Sequence, residues 1–558
     1  MAAKVYAPGE CYQYQLLIKH LLATPLFFAP DQEIVYRDKI RLTYRKVNER
    51  IHRLANGLAK LGVAEGDTVC VFDYDSHRYL ESFFAIPMMG AVLHTQNWRL
   101  SPEQILYTMN HAEDKVVLIH EEFLPLLEAV YDKLTTVKKI ILISDSGQKP
   151  VTKIPFAAEY EELLQGAADS YDFPELDENT RATTFYTTGT TGLPKGVSFS
   201  HRQLVLHAQA LVIGAGAYES VGRFRSNDVY MPITPMFHVH AWGLPYAATM
   251  MGVKQVYPGK YEPPMLLKLI LTEKVTFSHC VPTIIHMLVS SPVVKTLNLS
   301  KWRVVIGGAR LPKGLAQAAT ALGIEIFAGY GMSETCPLIS LATLKPSMLG
   351  WDKEKQIDRL IMTGLPVPLV YAKIVDANGK DLPHDGVATG ELVLRAPWLT
   401  ESYFKDPERT RNLWRDGWLH TGDVGKLGPD GYLTFIGRRK SVIVTAGGKN
   451  VYADEIEMAL NGCWCILESV VLPAKDRRGN EHVAAIVVPD HEAISASREP
   501  AGNLTDEGVE SLVTAEVRKI CAELPEYKRI REVRIRNEEL PKTSTRKVKR
   551  HLVTWSGK

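Results

Sequence analysis

The first part of the chain alternates between helically spaced apolar residues and short continuous apolar runs. Val47, Ile51, Leu54 and Leu58 recur at helical spacing, and Gly62 follows where such a helix should end. Alternating strands and helices predict parallel sheets that are covered by helices on both faces. The pattern predicts strands over residues 67–72, 91–94, 115–119 and 139–143, separated by helices over residues 77–89, 101–111 and 123–134.

Three local signatures in the N-terminal part refine this picture. The apolar residues 34–36 and 41–43 flank a polar pair and predict a hairpin. Ser101 begins a capping box with proline at the first helical position, which fixes the start of a helix. An apolar patch before residue 31 is predicted to cap the core, although pairing with another subunit stays open.

The sequence Tyr186-Thr-Thr-Gly-Thr-Thr-Gly-Leu-Pro-Lys-Gly196 interrupts the regular pattern. Glycine frees the backbone and threonine hydroxyls compete with it, so the run favours a loop. Exposed amides and hydroxyls suit phosphate oxygens, and the apolar residues 182–186 place the loop at a strand end, where such sheets bind ligands. Lys195 and the apolar flanks argue against a flexible linker, and Lys195 leads into a strand, not into the helix of a Walker A loop.

A second motif, Gly329-Tyr-Gly-Met-Ser-Glu-Thr335, combines an aromatic ring with a carboxylate. Tyr330 offers a face on which adenine can stack, and Glu334 offers oxygen ligands for Mg²⁺. The same residues could also form a glycine-flanked turn that carries a surface glutamate.

Several other strand ends carry candidate residues. Asp423 is predicted just after a strand, where a carboxylate can accept hydrogen bonds from ribose hydroxyls. Gly307 and Gly308 would let a flat ring approach the backbone closely. His238 and Trp242 are predicted in a loop at the end of the strand over residues 228–231, and Val281 marks another transition from strand to loop.

The last 115 or so residues predict a small α+β domain. Its pattern indicates strands over residues 442–445, 467–472 and 482–488, and a helix over residues 453–460. Residues 446–450 form a predicted glycine turn, and residues 491–503 a predicted surface loop. The chain ends in a basic segment, which by itself favours a solvated face.

Composition limits the class of protein. A chain of 558 residues with 46% hydrophobic residues predicts several globular domains. The net charge of +2 gives no general attraction to nucleic acid or an anionic membrane. Seven scattered cysteines favour reduced thiols over a disulfide framework. Neither a signal peptide nor a membrane span is indicated, so the cytoplasm is the expected location, and peripheral membrane contact stays open.

Together these motifs resemble the adenylate-forming superfamily of acyl-CoA synthetases, luciferases and peptide-synthetase adenylation domains, from roughly residue 34 to residue 550. The resemblance implies an α/β fold with a large N-terminal domain (residues 1–436) of doubly wound sheets and a small β-barrel-like part. It also implies a hinge (437–441) and a small mobile α+β domain (442–558). Two positions depart from the usual pattern: Ser441 replaces an acidic residue, and Arg546 replaces a glycine.

The resemblance also implies roles for individual residues. Lys547, Lys195 and His238 are the expected catalytic residues, and Thr187 and Glu334 the expected metal ligands. Trp242, Val281 and Gly307 are expected to bind the acid. The expected contacts of the nucleotide and phosphates are Thr188, Gly189, Thr190, Thr191, Gly192, Gly308, Ala309, Gly329, Tyr330, Gly331, Met332, Ser333, Asp423, Arg438 and Lys440.

The implied activity is AMP-forming ligation of a carboxylic acid to coenzyme A, with ATP and Mg²⁺. No general base is needed, because a carboxylate is already ionised at neutral pH. Medium- to long-chain fatty acids are the favoured substrates, and an aromatic or branched-chain acid is the runner-up. Three further hypotheses stay open: an enzyme that transfers the acyl group to a carrier protein, a luciferase-like monooxygenase, and a non-catalytic nucleotide-binding protein. The resemblance also makes a homodimer possible.

Overall fold

The computed structural model describes residues 9–187, 193–220, 222–445, 449–476, 479, 481–497, 505–542 and 548–555. Its strands up to the phosphate-loop segment are β1 (Glu33–Tyr36), β2 (Ile40–Thr43), β3 (Thr68–Phe72), β4 (Val92–Thr95), β5 (Asp114–His120), β6 (Lys139–Ile143), β7 (Ala158–Glu159), β8 (Arg181–Thr187) and β9 (Lys195–Ser200). The next strands are β10 (Val229–Pro232), β11 (Lys254–Tyr257), β12 (Phe277–Cys280), β13 (Arg303–Ile306), β14 (Glu325–Gly331), β15 (Leu338–Leu341) and β16 (Leu365–Pro366).

The remaining strands are β17 (Tyr371–Val375), β18 (Gly390–Arg395), β19 (Trp414–Arg415), β20 (Trp418–Leu427), β21 (Leu433–Arg438), β22 (Val442–Val444), β23 (Asn450–Tyr452), β24 (Ile466–Lys475), β25 (Glu481–Pro489) and β26 (Glu532–Ile535). The helices are α1 (Lys19–Phe28), α2 (Tyr44–Lys60), α3 (His77–Met88), α4 (Pro102–Ala112), α5 (Leu124–Glu128), α6 (Tyr160–Gln165), α7 (His201–Gly216), the single turn α8 (Val239–Trp242), α9 (Leu244–Met250), α10 (Pro263–Thr272), α11 (Pro282–Val289), α12 (Lys313–Ala321), α13 (Lys353–Leu360), α14 (Pro407–Leu413), α15 (Ala453–Asn461), α16 (His491–Ala496) and α17 (Asp506–Glu523).

Two large sheets form the N-terminal part. The seven-stranded sheet has the order β7-β6-β5-β3-β4-β8-β9, and the nine-stranded sheet has the order β16-β15-β14-β13-β12-β10-β11-β1-β2. Both are mainly parallel, with antiparallel strands at their ends, such as β9 beside β8 and β2 beside β1. These sheets confirm the predicted α/β class, and the β1–β2 pair confirms the predicted hairpin.

Helices bury the faces of these sheets. The apolar stripe of α2 is buried as its spacing predicts, and all twelve residues of α3 are buried. The capping box at Ser101 begins α4. Ile18, Leu21 and Leu22 are buried in the same core, so the N-terminal patch caps it. Pairing with a second subunit stays a prediction.

Two segments of the chain differ from the predicted helix and loop. Residues 123–134 do not form one helix, because α5 ends at Glu128 and a separate 3₁₀ turn covers Tyr131–Lys133. Val130 between them has a φ of −127° and a ψ of −5°, which is not helical. In residues 491–503 the structure has the short helix α16, because the Asp490 side chain caps it by accepting a hydrogen bond from the Ala493 amide.

A five-stranded antiparallel sheet of β17–β21 follows the large sheets, in the place expected for the barrel-like part. Asp423 was expected just after a strand, but it lies within β20, opposite Arg438 of β21. The strand continues to Leu427 because its last residues pair with β21, a long-range contact that the local pattern does not contain.

The C-terminal region has its own small sheet, in the order β24-β25-β26, and the hairpin β22–β23. One face of the sheet packs against α15 and against α17, an 18-residue helix that the sequence pattern did not predict. The other face packs against Leu540 and Val553. The boundary at residues 437–441 stays a prediction, and the structure places a 3₁₀ turn at Arg439–Ser441.

A search of the described residues found no helix that is both long enough and apolar enough to cross a membrane.

The core contains an ion-pair network whose loss should be measurable. Arg50 Nε lies 2.6 Å from Glu81 Oε1, and the Glu81 side chain is fully buried. Arg50→Met leaves that carboxylate without its cation, so we expect a loss of about 3–5 kcal/mol in the free energy of unfolding, measured by urea denaturation. Arg45→Met is the control: its pair with Asp31 is exposed and should contribute no more than about 1 kcal/mol. Equal losses in the two variants would contradict this assignment.

Candidate active site

The predicted phosphate loop connects the antiparallel strands β8 and β9. Thr187, the last residue of β8, pairs with Lys195, the first residue of β9. The two ends of the loop are therefore fixed by a backbone ladder on the seven-stranded sheet. The predicted phosphate contacts Thr188, Gly189, Thr190, Thr191 and Gly192 lie outside the described residues.

Lys195 lies half-buried at the base of this loop. Its Nζ is 4.6 Å from the centroid of the Tyr403 ring, a cation–π contact. Burial lowers the pKa of the Lys195 amine, and the attraction of Glu334 opposes that shift. The positive charges of Arg409 and Lys440 lower the pKa of Lys195 further. Two further cations are therefore near enough to Lys195 to act on its charge.

Glu334 lies in the 3₁₀ turn Ser333–Thr335 that follows β14, and it is 8% exposed. Tyr403 Oη donates a hydrogen bond to Glu334 Oε1, with an oxygen–oxygen distance of 2.5 Å. The Thr400 amide donates to the Glu334 carbonyl at 2.9 Å. A nearly buried carboxylate that acts on the charge of Lys195 has the oxygen chemistry that Mg²⁺ requires. Glu334 therefore fits the predicted metal site, and Thr187, the last residue of β8, stays a predicted ligand.

Tyr330 and Asp423 meet where the nine-stranded and five-stranded sheets join. Tyr330 Oη donates a hydrogen bond of 2.8 Å to Asp423 Oδ2, and Arg438 Nε lies 3.5 Å from Asp423 Oδ1. Asp423 is only 7% exposed, and the neighbouring carboxylate raises the pKa of Tyr330 above its usual value, in addition to the larger effect of burial. The aromatic ring and the carboxylate predicted for adenine and ribose are thus direct neighbours.

The predicted acid-binding residues also lie together. A methyl group added to Gly307 would lie 2.8 Å from Cη2 of Trp242, so the indole packs directly on this glycine. The Trp242 and His279 rings lie 4.8 Å apart. Gly308 has a φ of +74°, and Val281 Cγ1 would lie 3.2 Å from a methyl group there. Ala309 follows on the surface. The structure therefore brings Trp242, Gly307 and Val281 to one wall.

Two details of this wall were predicted differently. Trp242 is not in an open loop but in α8, where all four residues from Val239 to Trp242 have φ between 47° and 58°. That left-handed turn is costly for residues with a Cβ atom, and its burial in the core holds it. His238 precedes the turn and is half-buried. Val281 leads not into a tight loop but into α11, because Pro282 occupies the first helical position.

The remaining predicted site residues lie at the expected hinge or in the C-terminal region. The Arg438 amide donates a 3.1 Å hydrogen bond to Asp454 of α15, and Lys440 is exposed in the turn Arg439–Ser441. Lys547 lies outside the described residues, as do Ala446, Gly447 and Gly448 of the predicted glycine turn.

Two residues of the site were not predicted from the sequence. Tyr403 and Arg409 belong to a segment without a recognisable motif. Tyr403 reaches the site because it forms an antiparallel bridge with Val197 of β9, and Arg409 follows in α14, where its charge acts on Lys195. The aromatic and charged character of that segment was the only available signal.

Gly329, Gly331, Met332 and Ser333 form a half-buried line between Tyr330 and Glu334. Opposite charges therefore face each other at one end of the site, and an aromatic ring with a hydrogen-bond acceptor lies at the other. Such an arrangement can hold the phosphates of a nucleotide at one end and its nucleoside at the other.

Comparison with known proteins identifies the family of the chain. Residues 28–404 match the family model described as "AMP-binding enzyme". A long-chain-fatty-acid–CoA ligase of Thermus thermophilus is 40% identical over 458 residues, which cover 80% of this chain and 81% of that protein. A medium-chain-fatty-acid–CoA ligase of Ectopseudomonas oleovorans is 32% identical and covers 97% of this chain and 96% of its own. The solved structure of the anthranilate CoA ligase AuaEII with anthranoyl-AMP has the same fold, with a TM-score of 0.81, 23% identity and 96% coverage of both chains.

Gly331 allows a test of the packing around the motif of residues 329–335. A methyl group on Gly331 would lie 1.7 Å from the Pro337 carbonyl oxygen, so Gly331→Ala must displace backbone. We expect a loss of about 1–3 kcal/mol in stability, read from the midpoint of denaturant unfolding. Gly350→Ala, where nothing lies within 4 Å of an added methyl group, should change stability by less than about 0.5 kcal/mol. A Gly331→Ala variant as stable as the parent protein would refute the close contact.

Proposed function

The chain belongs to the AMP-binding enzyme family, and from this premise we propose that it is an AMP-forming fatty acid–CoA ligase. The observation that carries the proposal is that Lys195 and Glu334 contact the same side chain, Tyr403, at the base of the phosphate loop, while Tyr330 and Asp423 are bonded at the other end of the site. ATP, Mg²⁺ and coenzyme A are the partners of this chemistry.

The first half-reaction joins the acid to the nucleotide. A carboxylate oxygen of the acid forms a bond to the α-phosphorus of ATP, and the bond from that phosphorus to the pyrophosphate oxygen breaks. Acyl-AMP and pyrophosphate are the products. In the second half-reaction the sulfur of coenzyme A bonds to the acyl carbon and AMP leaves with the electron pair of the broken carbon–oxygen bond. The thiol proton passes to solvent.

The barrier of the first step is largely electrostatic, because two anions must meet. Lys195, Arg409 and Lys440 supply positive charge in advance, so little reorganisation is needed at the moment of reaction. We assign Glu334 and Thr187 as the residues that hold the metal. Bound Mg²⁺ would offset the charge that develops on the phosphate oxygens.

The nucleoside is assigned to the other end of the site. Asp423 has two carboxylate oxygens, one bonded to Tyr330 and the other beside Arg438. Each oxygen has a second lone pair, so the carboxylate can still accept hydrogen bonds from ribose hydroxyls. Tyr330 presents its ring for adenine. Gly308 and Ala309 are exposed beside this position and leave room for a flat base.

The acid is assigned to the wall formed by Trp242, Gly307 and Val281. These residues offer apolar surface and no fixed cation for a second carboxylate. An aliphatic acid fits this chemistry, and the two curated relatives bear the names of fatty-acid ligases. His238 begins the turn that carries Trp242, at the border between the acid and the phosphates.

The two half-reactions require different surroundings, and a hinge at residues 437–441 would provide them. We propose that residues 442–558 rotate between the two steps, with Lys547 serving adenylation and residues 446–450 serving thioester formation. The support is the family resemblance of this segment.

Substrate identity is tested by pyrophosphate release from ATP and Mg²⁺ across acids from acetate to palmitate, together with benzoate and a coumarate. We expect sustained turnover that requires coenzyme A and is greatest with medium- or long-chain aliphatic acids, because the wall is apolar and uncharged. Turnover restricted to aromatic acids would replace the substrate class. A single burst unaffected by coenzyme A would indicate a carrier protein as acceptor, and no release from any acid would refute the ligase.

The division of labour is tested with Lys547→Ala. We expect pyrophosphate release to fall by at least about 100-fold, the size of effect typical for loss of one charge-stabilising group. Conversion of supplied acyl-AMP to acyl-CoA should persist. Lys549→Ala, which removes a neighbouring charge of the same type, should leave both steps near the parent rate. Loss of both half-reactions in Lys547→Ala would rule out separate roles.

A further inference from the structure

Tyr403 touches both charged groups of the phosphate end of the site. It lies between β18 and α14 and is 6% exposed. Its hydroxyl donates a 2.5 Å hydrogen bond to Glu334, and its ring face lies 4.6 Å from the Lys195 ammonium. One side chain therefore contacts an anion through its polar end and a cation through its apolar face.

The backbone around Tyr403 is fixed to the same two elements. Tyr403 forms an antiparallel bridge with Val197, and the Phe404 amide donates to the Gly196 carbonyl at 2.9 Å. Thr400 donates hydrogen bonds to both elements. Its amide donates to the Glu334 carbonyl, and its hydroxyl donates to the carbonyl of Ser198 in β9 at 2.9 Å. The ring position is thus set by the strand that begins at Lys195 and by the turn that carries Glu334.

Lys195 and Glu334 carry opposite charges and both contact the same side chain, Tyr403. Their charges already interact, since Glu334 raises the pKa of Lys195 against the effect of burial. A direct pair would have to be broken before a metal and phosphates could bind. A tyrosine hydroxyl that donates a hydrogen bond to a carboxylate fixes the position of the carboxylate and leaves its negative charge in place. The ring face attracts the ammonium through a cation–π contact and leaves the positive charge in place.

We propose that Tyr403 is a positioning residue that keeps Lys195 and Glu334 close but unpaired, so that Glu334 keeps its charge and one oxygen for the divalent metal. The inference rests on the proposed function for its metal and nucleotide. It concerns only how this chain's own residues are held, and Tyr403 touches no reacting atom.

The test uses Tyr403→Phe, which removes the hydroxyl and keeps the ring. The full-length protein is titrated with Mn²⁺ in the presence of ATP and without any acid, and free Mn²⁺ is followed by electron paramagnetic resonance. We expect the Mn²⁺ concentration for half-saturation to rise about tenfold or more, the loss typical of a hydrogen bond to a charged group. Unchanged Mn²⁺ binding would overturn the proposal.

Tyr44→Phe is the matched control. Tyr44 is also a buried tyrosine, and its hydroxyl donates a 2.6 Å hydrogen bond to the Val253 carbonyl, in a different part of the core. If metal binding weakens equally in both variants, the effect is a general loss of packing and the proposal fails. If only Tyr403→Phe weakens it, positioning of Glu334 is supported.

A second variant, Tyr403→Leu, removes the ring as well. The freed ammonium should then pair with Glu334, so Mn²⁺ half-saturation should rise further than in Tyr403→Phe. Identical binding by the two variants would show that the ring plays no part in separating the charges. Because these titrations need no turnover, they remain decisive even if the acid panel yields no product and the ligase function fails.

Discussion

The contact between β9 and the segment from Thr400 to Phe404, made by the Val197–Tyr403 bridge and two further hydrogen bonds, is the one on which the phosphate end of the site depends. The strand carries Lys195 at its first residue, and the paired segment carries Tyr403 and the Thr400 bond to the Glu334 backbone. Lys195 belongs to the seven-stranded sheet, whereas Glu334 follows the last residues of β14 in the nine-stranded sheet. A short irregular segment therefore contacts both large sheets, and it touches the charged group that each of them brings to this end of the site.

This arrangement concentrates positive charge before a ligand binds. Burial and the charges of Arg409 and Lys440 all lower the pKa of Lys195, because each of them destabilises the protonated ammonium. The negative charges of Glu334 and Asp406 stabilise the ammonium and raise its pKa. An anionic ligand would relieve the repulsion between these cations, which is the electrostatic reason for proposing that the phosphates bind here.

How far the sequence predicted this protein depends on whether a feature is local. The α2 stripe, the β1–β2 hairpin and the capping box at Ser101 follow from neighbouring residues, and all three are present. The left-handed backbone at Val239 opposes local preference and exists only because the core encloses it. Tyr403 likewise has no local signature, since its role arises from a strand about two hundred residues earlier. Features set by neighbouring residues were thus predictable, and those set by distant contacts, such as Tyr403, were not.

Arg438 connects the nucleoside end of the site to the C-terminal region. Its guanidinium faces Asp423, and its amide donates to Asp454 of α15. Asp454 also forms an ion pair with Arg550, close to the basic end of the chain. The carboxylate proposed to bind the ribose and a helix of the C-terminal region are therefore linked through Arg438, next to the proposed hinge. A rotation about residues 437–441 would change the hydrogen bond between the Arg438 amide and Asp454. Arg438 itself would stay in place, because it pairs with Asp423 in the five-stranded sheet. If the proposed hinge moves, Arg438 is the residue through which its rotation would reach Asp423, because the two contacts of Arg438 lie on either side of that boundary.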